Sequence, residues 1–257
     1  VTNGAKAMSS VRRETAMARK PRYSPPDTPH EVDLLSLVER TKRPFKNDRQ
    51  IDFLRPTGAS KNAGVNVFYA GELSVLNFPC VSIVGTREVS EGGFLRAHRL
   101  ARQLAEAGVT VVSGLARGVD TAALTGAIKH KGRVAAVIGT PLAKAYPAEN
   151  ACLQEHIWQD HLLLSPFAEG EAVYRSNFPK RNRVMAAISD ATVIVEASDT
   201  SGTLHQAAEC QRLGRWLFIM KSVVDDPRLT WPSKFLGHEK THILENTHDI
   251  VERIDHA

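Results

Sequence analysis

At 257 residues with an apolar share of 42%, the chain is long enough to bury a sizeable core, and it holds no run of 18 apolar residues from which to build a membrane-spanning helix. Its three cysteines, Cys80, Cys152 and Cys210, are odd in number and share no short spacing, which argues against a disulfide framework or a zinc site and reads as core thiols in a reducing compartment. The net charge of +5 resides wholly in residues 1–22, where Lys6, Arg12, Arg13, Arg19, Lys20 and Arg22 face Glu14 alone, so the rest of the chain is neutral and a nucleic-acid argument must rest on local clusters.

The first 29 residues, ending in "ARKPRYSPPDTP", have too little apolar surface to order themselves and are expected to form a disordered basic tail. They lack the apolar stretch of a secretory signal, so the cytoplasm is the expected location. Their Arg-rich, acid-poor composition is also that of an organelle transit peptide, and the bland alternative is a basic arm. Residues 30–64 should hold a short amphipathic helix, "EVDLLSLVER" (31–40), and a loose linker. The main domain is expected over 65–257, without internal repeats.

From residue 65 onward, apolar runs rich in β-branched residues alternate with helical patterns. The predicted strands are 80–85, 109–114, 133–139, 161–165, 191–197 and 215–220, and the predicted helices are 91–107, 118–131, 148–159, 180–189 and 202–213. A short strand and a helix capped near Asn246 or Thr247 close the chain in "THILENTHDIVERI" (241–254). Nearly continuous apolar strands joined by helical connections imply an α/β class: a Rossmann-like parallel sheet with helices on both faces.

Ligands of such sheets bind beyond the carboxyl ends of the strands. "GTREVSEGG" offers Gly85, Thr86 and Arg87, and "SGLARGVD" offers Ser113, Gly114 and Arg117, with Asp120 as a helix cap. "SDTSGTL" places Ser201, Gly202 and Thr203 at a helix start, where small residues and the positive helix end suit an anion. "NFPKRNRVMAA" crowds Lys180, Arg181 and Arg183 into what reads as a first helical turn, where cations are disfavoured unless an anion compensates. Phosphate fits best, because the arginine fork matches its oxygens, and Phe178 adds a face on which a base can stack. Taken singly, each of these features has a bland reading: a turn, a solvated basic face, a core aromatic.

"VSIVGTREVS", "VVSGLARGVDTAA", "YPAEN", "NFPKRNRVMAAIS" and "VEASDTSGTL" resemble, in order and spacing, motifs of the DNA-processing protein A family (DprA, also called Smf). "VFYAGELSVLNFP" looks like the segment that leads into them, so the resemblance runs from about Val65 to Met220 and more weakly to Ile254. It implies an extended Rossmann fold, a homodimer, single-stranded DNA as ligand, and a role in natural transformation and recombination in which the recombinase RecA is loaded. It implies no catalytic residues, no cofactor and no metal. Carried over by position, Gly85, Thr86, Arg87, Ser113, Gly114 and Arg117 would form a phosphate pocket. Lys180, Arg181 and Arg183 would meet the strand backbone, Phe178 and Tyr146 its bases, and Asn182 would brace the loop.

The chain departs from the family pattern at Leu124, where a His is usual, at Pro141 and Ala143 in place of Gly and Asp, at Ser165-Pro166 in place of Ser-Glu, and at His205 and Gln206 in place of Ile and Thr. Several of these lie in loops by the expected site, and a ligand can change while a fold does not. The enzyme alternative is a nucleotide phosphoribohydrolase of the LOG type, whose motif Gly202-Thr203 matches at its centre. Gln206 stands where the catalytic Glu would be, and an amide is no general base. No G-x-G-x-x-G follows the first predicted strand, no Walker A sequence occurs, and His238 and His242 read as surface histidines rather than ligands. Glu196 is expected to be structural.

Overall fold

The computed structural model describes residues 23–43, 45, 50 and 64–255. The expectations for residues 1–22 and for most of the 46–63 linker lie outside the described residues.

In chain order the elements are β1 (His30–Asp33), α1 (Leu34–Arg40), β2 (Asn66–Gly71), β3 (Cys80–Val84), α2 (Glu91–Glu106), β4 (Thr110–Ser113), α3 (Val119–Lys129) and β5 (Val134–Val137). There follow α4 (Ala151–Asp160), β6 (Leu162–Ser165), α5 (Asn177–Ile188), β7 (Ala191–Ile194), α6 (Thr203–Arg212), β8 (Trp216–Met220), α7 (Lys221–Val224), α8 (Ser233–Leu236), β9 (Thr241–Leu244) and α9 (His248–Asp255). The strands form one sheet in the order β1-β2-β6-β5-β4-β3-β7-β8-β9. β6 to β9 in that order are mutually parallel, and β2 joins β6 antiparallel.

Every residue of β3 to β7 is buried, which explains their continuous apolar runs: both faces are covered. One face packs on α2, α3, α4 and α9 through residues such as Leu100, Leu104, Leu124, Ile157 and Ile250. The other packs on α1, α5 and α6 through Leu34, Leu37, Val184, Met185, Ala207 and the fully buried Trp231. The chain runs outward from β3 to β4, β5 and β6, then returns to lay β7 on the other flank of β3. That reversal opens a crevice at the carboxyl ends of the central strands, where ligands of such folds bind.

The amino-terminal region differs from the sequence reading. "EVDLLSLVER" splits at Asp33: β1 pairs antiparallel with β2, and Asp33 then caps α1, its carboxylate accepting the Ser36 amide at 2.9 Å. Arg43 fixes this region to the sheet, donating to both carboxylate oxygens of Asp190 (2.9 and 2.8 Å) and to the carbonyls of Leu76 (2.7 Å) and Phe78 (2.6 Å). Tyr23 and Ser24, assigned to the tail by composition, are bound to the body: Tyr23 donates its hydroxyl proton to the Leu142 carbonyl at 2.7 Å, and Trp158 its indole N–H to the Ser24 carbonyl at 3.0 Å. Cys80 and Cys210 are buried thiols, whereas Cys152 is exposed, because it faces outward on the first turn of α4. His242 is half-buried, its ring 5.3 Å from that of Trp216, rather than on the surface.

Candidate nucleic-acid interface

The loop after β3 is held by Glu196. Its carbonyl accepts the Thr86 amide at 2.7 Å, and its carboxylate accepts the amide (2.9 Å) and hydroxyl (2.6 Å) of Ser90, the cap of α2. Glu196 is thus a clamp on the loop. Gly85 has no room for a Cβ, which would lie 2.8 Å from the Glu196 carbonyl and against Val119. The Thr86 hydroxyl accepts the Glu88 amide at 3.2 Å, and the Thr86 carbonyl accepts the Val119 amide. The polar groups of Thr86 are therefore turned to the protein, and the exposed guanidinium of Arg87 is what this loop offers to solvent.

The loop after β4 differs from a nest of vacant amides. The buried carboxylate of Asp120 accepts the amides of Gly114 (3.1 Å) and Ala116 (3.3 Å) through one oxygen, and so takes the place expected for a ligand anion. Burial pushes its carboxyl up to about 6, while the Arg181 guanidinium and those amides favour the anion. Ser113 is fully buried and donates to the Ile83 carbonyl at 2.7 Å. Asn150, of "YPAEN", donates to the Leu115 carbonyl and the Thr121 hydroxyl, both at 2.9 Å, and holds Leu115 at a φ of 57°. Arg117 points out and pairs with Glu149 at 2.7 Å.

The three cations of the basic motif have three different settings. α5 begins at Asn177, three residues earlier than its pattern suggests, because Pro179 is tolerated in a first turn and lacks only an N–H that would have no partner there. Lys180 therefore closes the first turn, and Arg181 and Arg183 fall on the second. Lys180 is exposed. Arg181 turns inward, 7% exposed, and donates to the carbonyls of Gly114 (2.5 Å) and Val137 (2.7 Å). Burial pulls its affinity for the proton below the ordinary value, Asp120 opposes this and Arg87 adds to it. Its charge has an internal anion, Asp120, and Gly114 is required because any Cβ there would strike the guanidinium. Arg183 lies 3.7 Å from Glu209 across the α5 and α6 contact. Asn182 is buried, and Asn177 donates to the Gly139 carbonyl.

What remains open to solvent forms a compact platform. The Arg87 guanidinium lies 5.2 Å from the centre of the Phe178 ring, and the Tyr146 ring stands 5.6 Å from that of Phe178. Phe178 is half-buried and packs on Gly139, where a Cβ would come within 2.8 Å of the ring. Tyr146 is 42% exposed. Its amide donates to Gln154, a fully buried residue of α4 that sequence reasoning missed, and Gln154 in turn donates to the Lys144 carbonyl. Only the interval of an apolar helix face signals it in the sequence.

The loop after β7 brings Ser201, Gly202 and Thr203 to the same edge, where Ser201 accepts the Thr203 amide at 3.2 Å and nothing crowds Gly202. Gln206 points into the core and donates to Thr192 at 3.3 Å, so it is not presented at this edge. Glu209 is turned to Arg183 and Arg212, with burial raising its carboxyl and both arginines opposing.

The family model for DNA recombination-mediator protein A matches residues 54–255. The chain is 38% identical to DNA processing protein DprA of Streptococcus pneumoniae over 165 residues, 64% of this chain and 58% of that protein. It is 30% identical to DNA processing protein DprA of Bacillus subtilis over 189 residues, 73% and 63% of the two chains. The chain thus spans less than two thirds of the length of these relatives. Among solved structures it resembles DNA processing protein A of Streptococcus pneumoniae, with a TM-score of 0.67 and 33% identity over 79% of this chain and 71% of that one. A structure of the Helicobacter pylori protein, described for its single-stranded DNA binding mode, superposes with a TM-score of 0.67 and 25% identity over 76% and 89% of the two chains. By sequence over most of its length and by fold, this chain belongs to the DNA recombination-mediator protein A family.

Proposed function

We propose that the edge carrying Arg87, Phe178, Tyr146 and Lys180 binds single-stranded DNA. The observation that carries this reading is the half-buried Phe178 ring, with the exposed Arg87 guanidinium 5.2 Å from its centre and the exposed Tyr146 ring 5.6 Å from it. Rings of this kind accept a base face of any sequence, while the cations track the phosphates. Arg87 and Lys180 supply charge, Phe178 and Tyr146 supply stacking, and the 201–203 turn flanks the path. Arg117 acts at the rim, its charge shared with Glu149. Arg181, Ser113 and Gly114 serve from below, by fixing the loop that supports Arg87. The binding of single strands by the Helicobacter pylori relative supports the same reading.

The role we propose, from the family resemblance, is in recombination and DNA uptake, as a homodimer, with the recombinase RecA as partner. Co-precipitation with the host recombinase and the mass of the protein in solution test those two contacts. No helix among the described residues is long and apolar enough to cross a membrane. A phosphoribohydrolase reading gains nothing from Gln206 and Glu209, whose side chains are committed to Thr192 and to arginines. The reading is tested by anisotropy of a labelled oligo-dT of about 20 nucleotides over a salt series, with Arg87→Ala and Lys180→Ala. Each variant should lower the slope of log K against log salt by about 0.7, the value for one phosphate contact on a single strand. Binding that ignores both salt and these substitutions would refute it.

A further inference from the structure

We infer that the protein has a second binding surface for single-stranded DNA at the opposite end of the sheet, where the exposed ring of Phe78, backed by Arg133, takes a base, and Lys129 and Lys131 take the strand phosphates. This surface shares no residue with the Arg87 and Phe178 platform, so it extends the proposed function without resting on it.

The ring is placed by the strand order. Phe78 stands just before β3 and Arg133 just before β5, at the amino ends of the parallel strands, the end remote from the platform. The Arg133 guanidinium lies 3.6 Å from the centre of the Phe78 ring, closer than Arg87 comes to Phe178, and donates to the Gly108 carbonyl beyond the end of α2. Phe78 is nonetheless 42% exposed. A ring with a fixed guanidinium on one face and water around the rest has the chemistry of a stacking site. One exposed ring is ordinary on a protein surface, and the charge around it is what sets this one apart.

Lys129, His130, Lys131 and Arg133 crowd the turn between α3 and β5, and no acidic residue occurs in the sequence between Asp120 and Glu149. Lys129 and Lys131 are exposed. The carboxyl end of α3 offers them only about half a unit of negative charge, against three permanent cations. Lys131 holds a φ of 58°, a conformation that glycine or asparagine adopts with less strain, so a cation stands where sterics favour other residues. The neighbouring helix adds to the same field. The His98 ring on α2 stands 6.0 Å from that of His130, and burial, His130, Lys129 and Arg102 all pull its proton affinity below the ordinary value. Arg102 shares its charge with Glu106 at 3.5 Å. Because residues 23–257 are neutral as a whole, this concentration is local. Phosphate oxygens suit such an array, and the adjoining ring selects a strand whose bases are unstacked. Phe78 is one ring where the platform has two, which makes this the weaker of the two sites.

The test irradiates the full chain with an oligo-dT that carries iododeoxyuridine, which crosslinks to stacked aromatic side chains, and maps the crosslinked peptides by mass spectrometry. Crosslinks should form at Phe78 as well as at Phe178, and the duplex should give neither. Combining Lys129→Gln with Lys131→Asn should lower the Phe78 crosslink several-fold and leave the Phe178 crosslink unchanged, which also shows that the variant is folded. In the residual single-strand binding of Phe178→Ala, the same pair of substitutions should lower the salt slope by about 1.4, two contacts at about 0.7 each, so that the deficit is roughly 7-fold larger at 50 mM than at 200 mM salt. A crosslink at Phe178 with none at Phe78 overturns the second surface and leaves the platform standing. A Phe78 crosslink that persists undiminished in the lysine variant, or forms equally with duplex, overturns it as well. Crosslinks at neither ring overturn both.

Discussion

Asp120 accepts the amide protons of Gly114 and Ala116 at 3.1 and 3.3 Å, so a side chain of the protein fills the anion position that the glycine turn after β4 creates. Its consequence for stability has a definite sign. The carboxyl sits at about 6 in the fold against 3.8 in the unfolded reference, so between those values the native state binds more protons and stability falls as pH rises. Ionisation of Asp120 costs on the order of 3 kcal/mol above pH 6 and nothing below about pH 4. Asp120→Asn retains an oxygen for both amides and cannot ionise. It should raise the free energy of unfolding at pH 7 by up to about 3 kcal/mol and leave it unchanged at pH 4, as read by denaturant titration at the two pH values. Destabilisation at pH 7 would show that the Arg181 attraction outweighs burial.

Arg43 donates to five acceptor atoms from one guanidinium, and Asp190 also accepts the Cys80 amide at 2.7 Å. Arg43→Met removes the counter-charge from a carboxylate that remains mostly buried. Unfolding should become easier by about 3 to 5 kcal/mol. A loss below 1 kcal/mol would mean that solvent reaches Asp190 in place of the arginine.

Gly114→Ala presses a methyl group into the Arg181 guanidinium, whose partners are backbone carbonyls that cannot follow it. The expected cost is about 1 to 3 kcal/mol. Because that loop supports the platform, single-strand affinity should fall too, although residue 114 is buried. Unaltered affinity at full occupancy of the folded state would separate the loop from binding.

The elements from β3 to β8 are legible in the sequence to within a few residues because each is a continuous apolar run ended by glycine or a cap, a local signal. β1 and β2 are not: "HEVD" becomes a strand only because Asn66–Gly71 lies beside it and β6 beyond that, and such pairing has no local trace. The candidate site divides in the same way. Arg87 lies exposed in the loop after β3, and Phe178 and Lys180 lie at the start of α5. Arg181 is drawn inward by Asp120, 61 positions earlier, and by carbonyls of two strands, a relationship no spacing encodes. The compensation that three clustered cations require is thus met in part inside the protein, by Asp120 for Arg181 and Glu209 for Arg183.

The central claim, that Phe178 is a stacking platform for a DNA base, is tested most directly by comparing single-strand and duplex binding of the wild type, Phe178→Ala and Phe178→Trp by anisotropy at one salt concentration. Stacking predicts preference for the single strand, a loss of roughly 5-fold to 150-fold in Phe178→Ala, matching about 1 to 3 kcal/mol per stacked base, and near-complete recovery in Phe178→Trp. Equal binding of both DNA forms, or an unchanged single-strand affinity in Phe178→Ala, would contradict it.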